Sequence, residues 1–139
     1  KYRQRSGNKI IQVGASLRDA YVILKTNKRL CFLIDQSAHP DYSVYVDFFG
    51  KKVATFAGAA KMALKQSSPV VMGYMIRDDR KNYDIRFDER KYDDITEDTE
   101  ANVIELTQRM QKKVEEIEKE HPEQWFWFHK RFKHVKEAG

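Results

Sequence analysis

Cysteine, proline and glycine are all scarce in this 139-residue chain. With Cys31 alone, no disulfide and no cysteine-based metal site can be built, so stability must come from an ordinary hydrophobic core. Three prolines and six glycines are too few for a collagen-like or low-complexity chain. No apolar run nears the roughly 20 residues that span a bilayer, and no signal-peptide pattern is visible. His39, His121, His129 and His134 show no metal-ligand spacing and no serine or cysteine nucleophile pattern around them. A glycine-rich phosphate loop is also missing. Fibrous, disulfide-scaffold, membrane-spanning and familiar metal or nucleotide-triphosphate chemistries are therefore excluded on composition and motif.

What is present suits a single globular domain over residues 1–139. Hydrophobic residues make up 41% and charged residues 34%, ordinary values for a folded protein. The net charge of +5 is unevenly spread. The first thirty residues are basic, Asp88 to Glu100 is acidic, and Lys130 to Lys136 is basic. Basic ends could meet phosphates of nucleic acid, a membrane surface or a phosphorylated ligand, although plain solvation accounts for most such lysines. The chain opens on Lys1 rather than methionine, which reads as a piece of a longer protein.

Along the chain, Lys9–Val13 reads as a short strand. Ser16 and Asp19 form a capping-box pattern for an amphipathic helix over 16–26. Leu30–Ile34 is a five-residue apolar run, predicting a strand buried on both faces with Cys31 as a buried thiol. Strand, helix and strand make a parallel unit with a right-handed crossover. A minor strand at Val44–Val46, a helix over 55–66, a strand over Val70–Ile76 and a hairpin partner at Tyr83–Phe87 follow. Asp94 and Glu97 predict the cap of a long helix reaching Glu120, with Val103, Leu106, Met110, Val114 and Ile117 as its stripe. Pro122 then opens a short final helix that carries the aromatic residues. The predicted class is α/β, a mixed and mostly parallel sheet flanked by helices, ending in a long C-terminal helix.

Asp35 and Gln36 fall just past the carboxyl end of a predicted central strand, where open α/β sheets bind ligands. A loop-closing turn is the alternative for that pair. Phe48 and Phe49 are too apolar for an ordinary loop and either pack beneath the site or border an apolar ligand. The segment His121–Lys133 is dense in aromatics and cations. It could stack on single-stranded bases, but its helical context favours a core plug that pins the terminus, so no nucleic-acid partner is expected.

These residues carry a resemblance. Asp35-Gln36, Phe48-Phe49-Gly50 with Ala54-Thr55 and Gly58, Ser68-Pro69-Val70-Val71, and the His121–Lys133 run occur in one family's order and spacing. The chain resembles the C-terminal portion of the bacterial lipid A biosynthesis lauroyl/myristoyl acyltransferases, within the lysophospholipid (glycerolipid) acyltransferase group. Arg5 and Gly7 look like that family's Arg-x-Gly segment. The resemblance implies transfer of a fatty acyl chain from acyl carrier protein, or acyl-CoA, to a hydroxyl of a phosphorylated glycolipid, with no cofactor and no metal. It also implies a location at the cytoplasmic face of the inner membrane, held by an N-terminal hydrophobic helix, and a His-x4-Asp/Glu pair as acid–base machinery.

None of the four histidines has an acid five positions on: Val44, Phe126, His134 and Gly139 stand there. The dyad is thus expected upstream, and this piece alone is expected to be inactive. Asp35 and Gln36 would line the acceptor side, Arg5, Arg131 and Lys133 would face the phosphorylated headgroup, and Phe48 and Phe49 would border the acyl path. The alternative is a non-catalytic module binding anionic lipid or acyl carrier protein. An open sheet edge would favour a dimer.

Overall fold

Local pairing, rather than a parallel crossover, organises this chain. The computed structural model describes residues 4–11 and 17–136 and divides into two units, Lys1–Cys31 and Phe32–Gly139. In the first unit, helix α1 spans Leu17–Lys25. Ala20 is buried and Val22 exposed, the amphipathic face expected from the spacing. Asn27 closes the helix in the left-handed region (φ 56°), and the Lys28 N–H donates to the Ile23 carbonyl at 3.2 Å, a common helix stop. The proposed cap at Ser16, and Gln12 and Val13 of the first predicted strand, lie outside the described residues.

The second unit holds strand β1 (Ser43–Phe48), strand β2 (Lys51–Phe56), helix α2 (Gly58–Gln66), strands β3 (Val70–Arg77) and β4 (Tyr83–Arg90), helix α3 (Glu100–Glu120) and a two-residue strand β5 (Val135–Lys136). β1, β2 and β5 form one antiparallel sheet in that order, and β3 and β4 a second. The mostly parallel sheet is thereby corrected: among the described residues every pairing is antiparallel. Neither Lys9–Ile11 nor Leu30–Ile34 forms a strand. Leu33 is 62% exposed and Cys31 is exposed, so the predicted buried strand and buried thiol are both overturned. A run of apolar residues is buried only where neighbouring strands cover both faces, and among the described residues no strands flank this one.

The competing signal was the turn at Phe49-Gly50. Both residues have positive φ (49° and 73°), the requirement for a two-residue turn that matches strand twist. The full strand Ser43–Phe48 therefore replaces the minor one, and it pairs with residues 51–56 that were partly assigned to a helix. α2 begins only at Gly58, where any Cβ would collide with the Phe56 ring, itself packed on Phe32. Gly58→Ala is expected to cost about 1–3 kcal/mol by displacing that ring, read as a lower urea midpoint; an unchanged midpoint would show that the ring swings away freely.

The β3–β4 hairpin follows the sequence closely, its turn closed by Asn82 N–H donating to Asp78 Oδ1 at 2.8 Å. Met72 and Ile76 are buried beneath it, whereas Val71, Met75, Ile85 and Phe87 stand exposed on the opposite face. α3 starts five residues later than the Asp94 cap predicted, because Thr99 accepts from Asn102 N–H. Asp94 instead pairs with Arg109 at 2.6 Å, which holds its carboxyl below the usual range. Phe48, Val53, Met72, Leu106, Met110 and Val114 form the middle of the core. After α3 the expected final helix shrinks to a turn at Pro122–Gln124. The chain must leave the helical path there, since Val135 has to reach β2 opposite Val53.

Candidate functional site

The buried stripe of α3 changes character along its length. Val103, Leu106 and Met110 are apolar, but Gln111 and Glu118, seven residues apart, are buried on the same face. A helix returns to one face every 3.6 residues, so these two polar groups stand two turns apart, on the face that meets the core. Buried polar groups demand partners, and one of them, Arg131, comes from the segment after the helix.

Arg131 is the centre of the arrangement, at 2% exposure. Its guanidinium donates to the Ala54 carbonyl at 3.0 Å, to Thr55 Oγ1 at 2.7 Å and to Gln111 Oε1 at 3.0 Å, and it stacks 4.9 Å from the Phe48 ring. Gln111 Nε2 in turn donates to the Ile34 carbonyl at 2.6 Å. Two residues beyond Asp35, the Ser37 N–H donates to His129 Nε2 at 2.8 Å, a bond only an unprotonated Nε2 can accept. The loop holding Asp35 and Gln36 is therefore fixed on both sides, by α3 before it and by the 129–131 segment after it.

Charge is finely balanced here. Burial pushes the Glu118 carboxyl up to about 8, and Asp35 and Glu115 push it further while Arg131 opposes them. Burial also pulls the Arg131 guanidinium below its usual range, against the pull of Glu118 and Asp35. The Glu118 carboxyl is thus held toward its protonated form, beside Arg131 and Asp35. Among the described residues, Glu118 Oε1 and Arg131 Nε find no hydrogen-bond partner. One turn earlier, Glu115 accepts the Phe49 N–H at 3.0 Å and pairs with Lys119. Burial works against that carboxylate, but these contacts keep its pKa below the usual value. They tie the β1–β2 turn to α3 and offset the strain of a phenylalanine at positive φ.

A groove of about 580 Å³ opens beside the cluster, with Phe49, Trp125, Phe132 and Lys133 along it and Glu118 and Arg131 among its lining. Of the residues picked from the sequence, Asp35, Phe48, Phe49, Arg131 and Lys133 are thus brought to one region. Gln36 is exposed at the loop tip. Arg5 lies in the other unit, exposed in a turn closed by the Gly7 N–H and the Gln4 carbonyl. Arg131, picked as a headgroup contact, lies in the interior, and Phe48 is buried beneath it. The expected aromatic plug is only partly realised: Trp125 packs on the core, whereas Phe126, Trp127 and Phe128 are exposed.

Sequence reasoning missed Gln111, Glu118 and His129. The available signal was the helical repeat itself, which continues from Val114 to Glu118 rather than to Ile117. Chemically, the cluster can orient a carboxylate and hold a loop; among the described residues no group of three or more metal-binding side chains comes together. In a comparison with protein-family models, residues 1–134 match the bacterial lipid A biosynthesis acyltransferases. A comparison with curated protein sequences finds no match.

Proposed function

We propose, from the premise that this chain belongs to the bacterial lipid A biosynthesis acyltransferase family, that it forms the acceptor side of such an enzyme's active site. In this reading a fatty acyl chain passes from acyl carrier protein, or acyl-CoA, to a hydroxyl of a phosphorylated glycolipid, at the cytoplasmic face of the bacterial inner membrane. The observation that supports it is the loop at Asp35. It is pinned by Gln111 and His129, and its carboxylate interacts with the buried Arg131. Such rigid support is what a positioned functional carboxylate needs.

Asp35 and Gln36 would meet the acceptor, Lys133 its phosphates, and Phe49 the acyl chain. Arg131 would act from beneath by holding Asp35, rather than by touching substrate. No histidine here is followed five positions later by an acid, so general acid–base catalysis would come from residues outside these 139. The chain alone would then be inactive. A non-catalytic module that binds anionic lipid or acyl carrier protein through the same groove is the second reading, favoured by that missing dyad. A dimer through the open β3–β4 hairpin would accompany either.

Asp35→Ala in the full-length enzyme is expected to reduce acyl transfer to a phosphorylated glycolipid by about 100-fold or more while the protein stays folded by far-ultraviolet dichroism. Turnover near the parent level would remove Asp35 from the site. Acyl transfer by the 139-residue chain itself would remove the external dyad.

A further inference from the structure

The turn at residues 125–129 contradicts the ordinary fate of aromatic side chains. Phe126 is 64%, Trp127 65% and Phe128 90% exposed, three in succession. Contiguous exposed apolar surface of this kind marks an interaction site. The exposure comes from a fixed backbone, not a loose one. The Trp127 N–H donates to the Trp125 carbonyl and the His129 N–H to the Phe126 carbonyl, each at 3.0 Å. Trp127 Nε1 donates to the Pro122 carbonyl at 2.7 Å. Below the turn, His129 and Arg131 root it in the fold. The Phe126 and Phe128 rings sit 6.0 Å apart at the tip.

The charged groups beside this tip are mostly cations, with Glu118 also along the groove. Lys130 and Lys133 line the same groove as Trp127 and Phe132. The only acid between His121 and Lys136 is Glu123, which precedes the aromatic run. Protruding aromatic rings over a cationic base match one surface, an anionic lipid bilayer. Rings of this type settle at the headgroup boundary, and lysine ammonium groups pair with lipid phosphates. Single-stranded nucleic acid fits less well, because stacking platforms present successive ring faces, and the two tip rings are tilted by 49°. The contact lies on the membrane rather than through it, since no described helix is long and apolar enough to cross one.

We propose that residues 125–133 form a membrane-surface docking element, with Phe126, Trp127 and Phe128 entering the interface of an anionic bilayer and Lys130 and Lys133 meeting its phosphates. This stands on the geometry of the turn and shares Lys133 with the acceptor contact proposed above, so vesicle binding and acyl transfer are measured separately.

The test is flotation of the 139-residue chain with phosphatidylglycerol vesicles, phosphatidylcholine vesicles as the comparison, and tryptophan emission as second readout. The chain is expected to float with the anionic vesicles, less so at high salt. Brominated acyl chains are expected to quench its emission, with quenching kept in Trp125→Phe and lost in Trp127→Phe. Phe126→Ser with Phe128→Ser, two exposed positions whose exchange leaves the far-ultraviolet dichroism unchanged, is expected to lower vesicle partition roughly tenfold or more. Partition of that double variant equal to the parent's overturns the proposal. So does binding to single-stranded DNA without binding to vesicles.

Discussion

Arg131→Met lowers the stability of residues 32–139 by about 3–5 kcal/mol, the usual cost of removing one member of a buried charged network. Methionine matches much of the volume but donates nothing. The Ala54 carbonyl, Thr55 Oγ1 and Gln111 Oε1 each lose a donor inside the fold, and each unsatisfied group costs about 1–3 kcal/mol. The sum is smaller than three separate losses because the Ala54 carbonyl still accepts the Ala38 N–H at 3.3 Å. Arg131→Lys recovers less than half, since one ammonium cannot reach three acceptors arranged around a planar fork. Urea denaturation of the three proteins measures this. A methionine variant within about 1 kcal/mol of the parent would mean that the network is not a main support of the fold.

The second large effect concerns pH. The folded Glu118 pKa of about 8 stands well above its ordinary value of 4.5. Between those two values the folded protein binds a proton that the unfolded chain has released. Stability from this group is therefore full below about pH 4.5 and is lost as pH rises toward 8, by the order of a few kcal/mol. Groups held low, such as Asp94 and Glu115, run the other way and lose their contribution on acidification. Glu118→Gln removes the first slope while keeping the shape. The variant is expected to match the parent near pH 5 and exceed it near pH 8.5, by chemical denaturation across about pH 5–9. Parallel stability curves for the two proteins would show that Glu118 ionises as easily folded as unfolded.

These effects indicate where sequence reading succeeds. The β3–β4 hairpin was legible because a short polar turn between two strand-like runs is a local signal, and α3 because its stripe is long. Local signals also explain one failure. The Phe49-Gly50 segment was read as packing beneath the site or bordering a ligand, yet its backbone is what fixes the β1–β2 pairing. Asp35 was placed at a site for a reason that did not hold, the end of a parallel strand. Its loop is instead held by Gln111 and His129, residues 76 and 94 positions later, and no window along the sequence joins them. Arg131 looked like one more cation in a basic run, because burial depends on what faces a residue and not on its neighbours in sequence. The aromatic run misled in the opposite direction: its density implied burial, and the fold buries only Trp125 in part.

The wiring of Arg131 also sets an order of events. Its acceptors on Ala54 and Thr55 precede it by 77 and 76 residues. During synthesis at about 5–20 residues per second, β2 would emerge roughly 4–15 seconds before the side chain that completes it. Over that interval the β1–β2 hairpin and α2 can form from nearby contacts, while the Ala54 carbonyl and Thr55 hydroxyl still lack the Arg131 guanidinium. Such a chain is exposed to mispairing for as long as its last contributor is still being made, so the rate at which ribosomes traverse the stretch from β2 to Arg131 bears directly on how much folded protein a cell obtains.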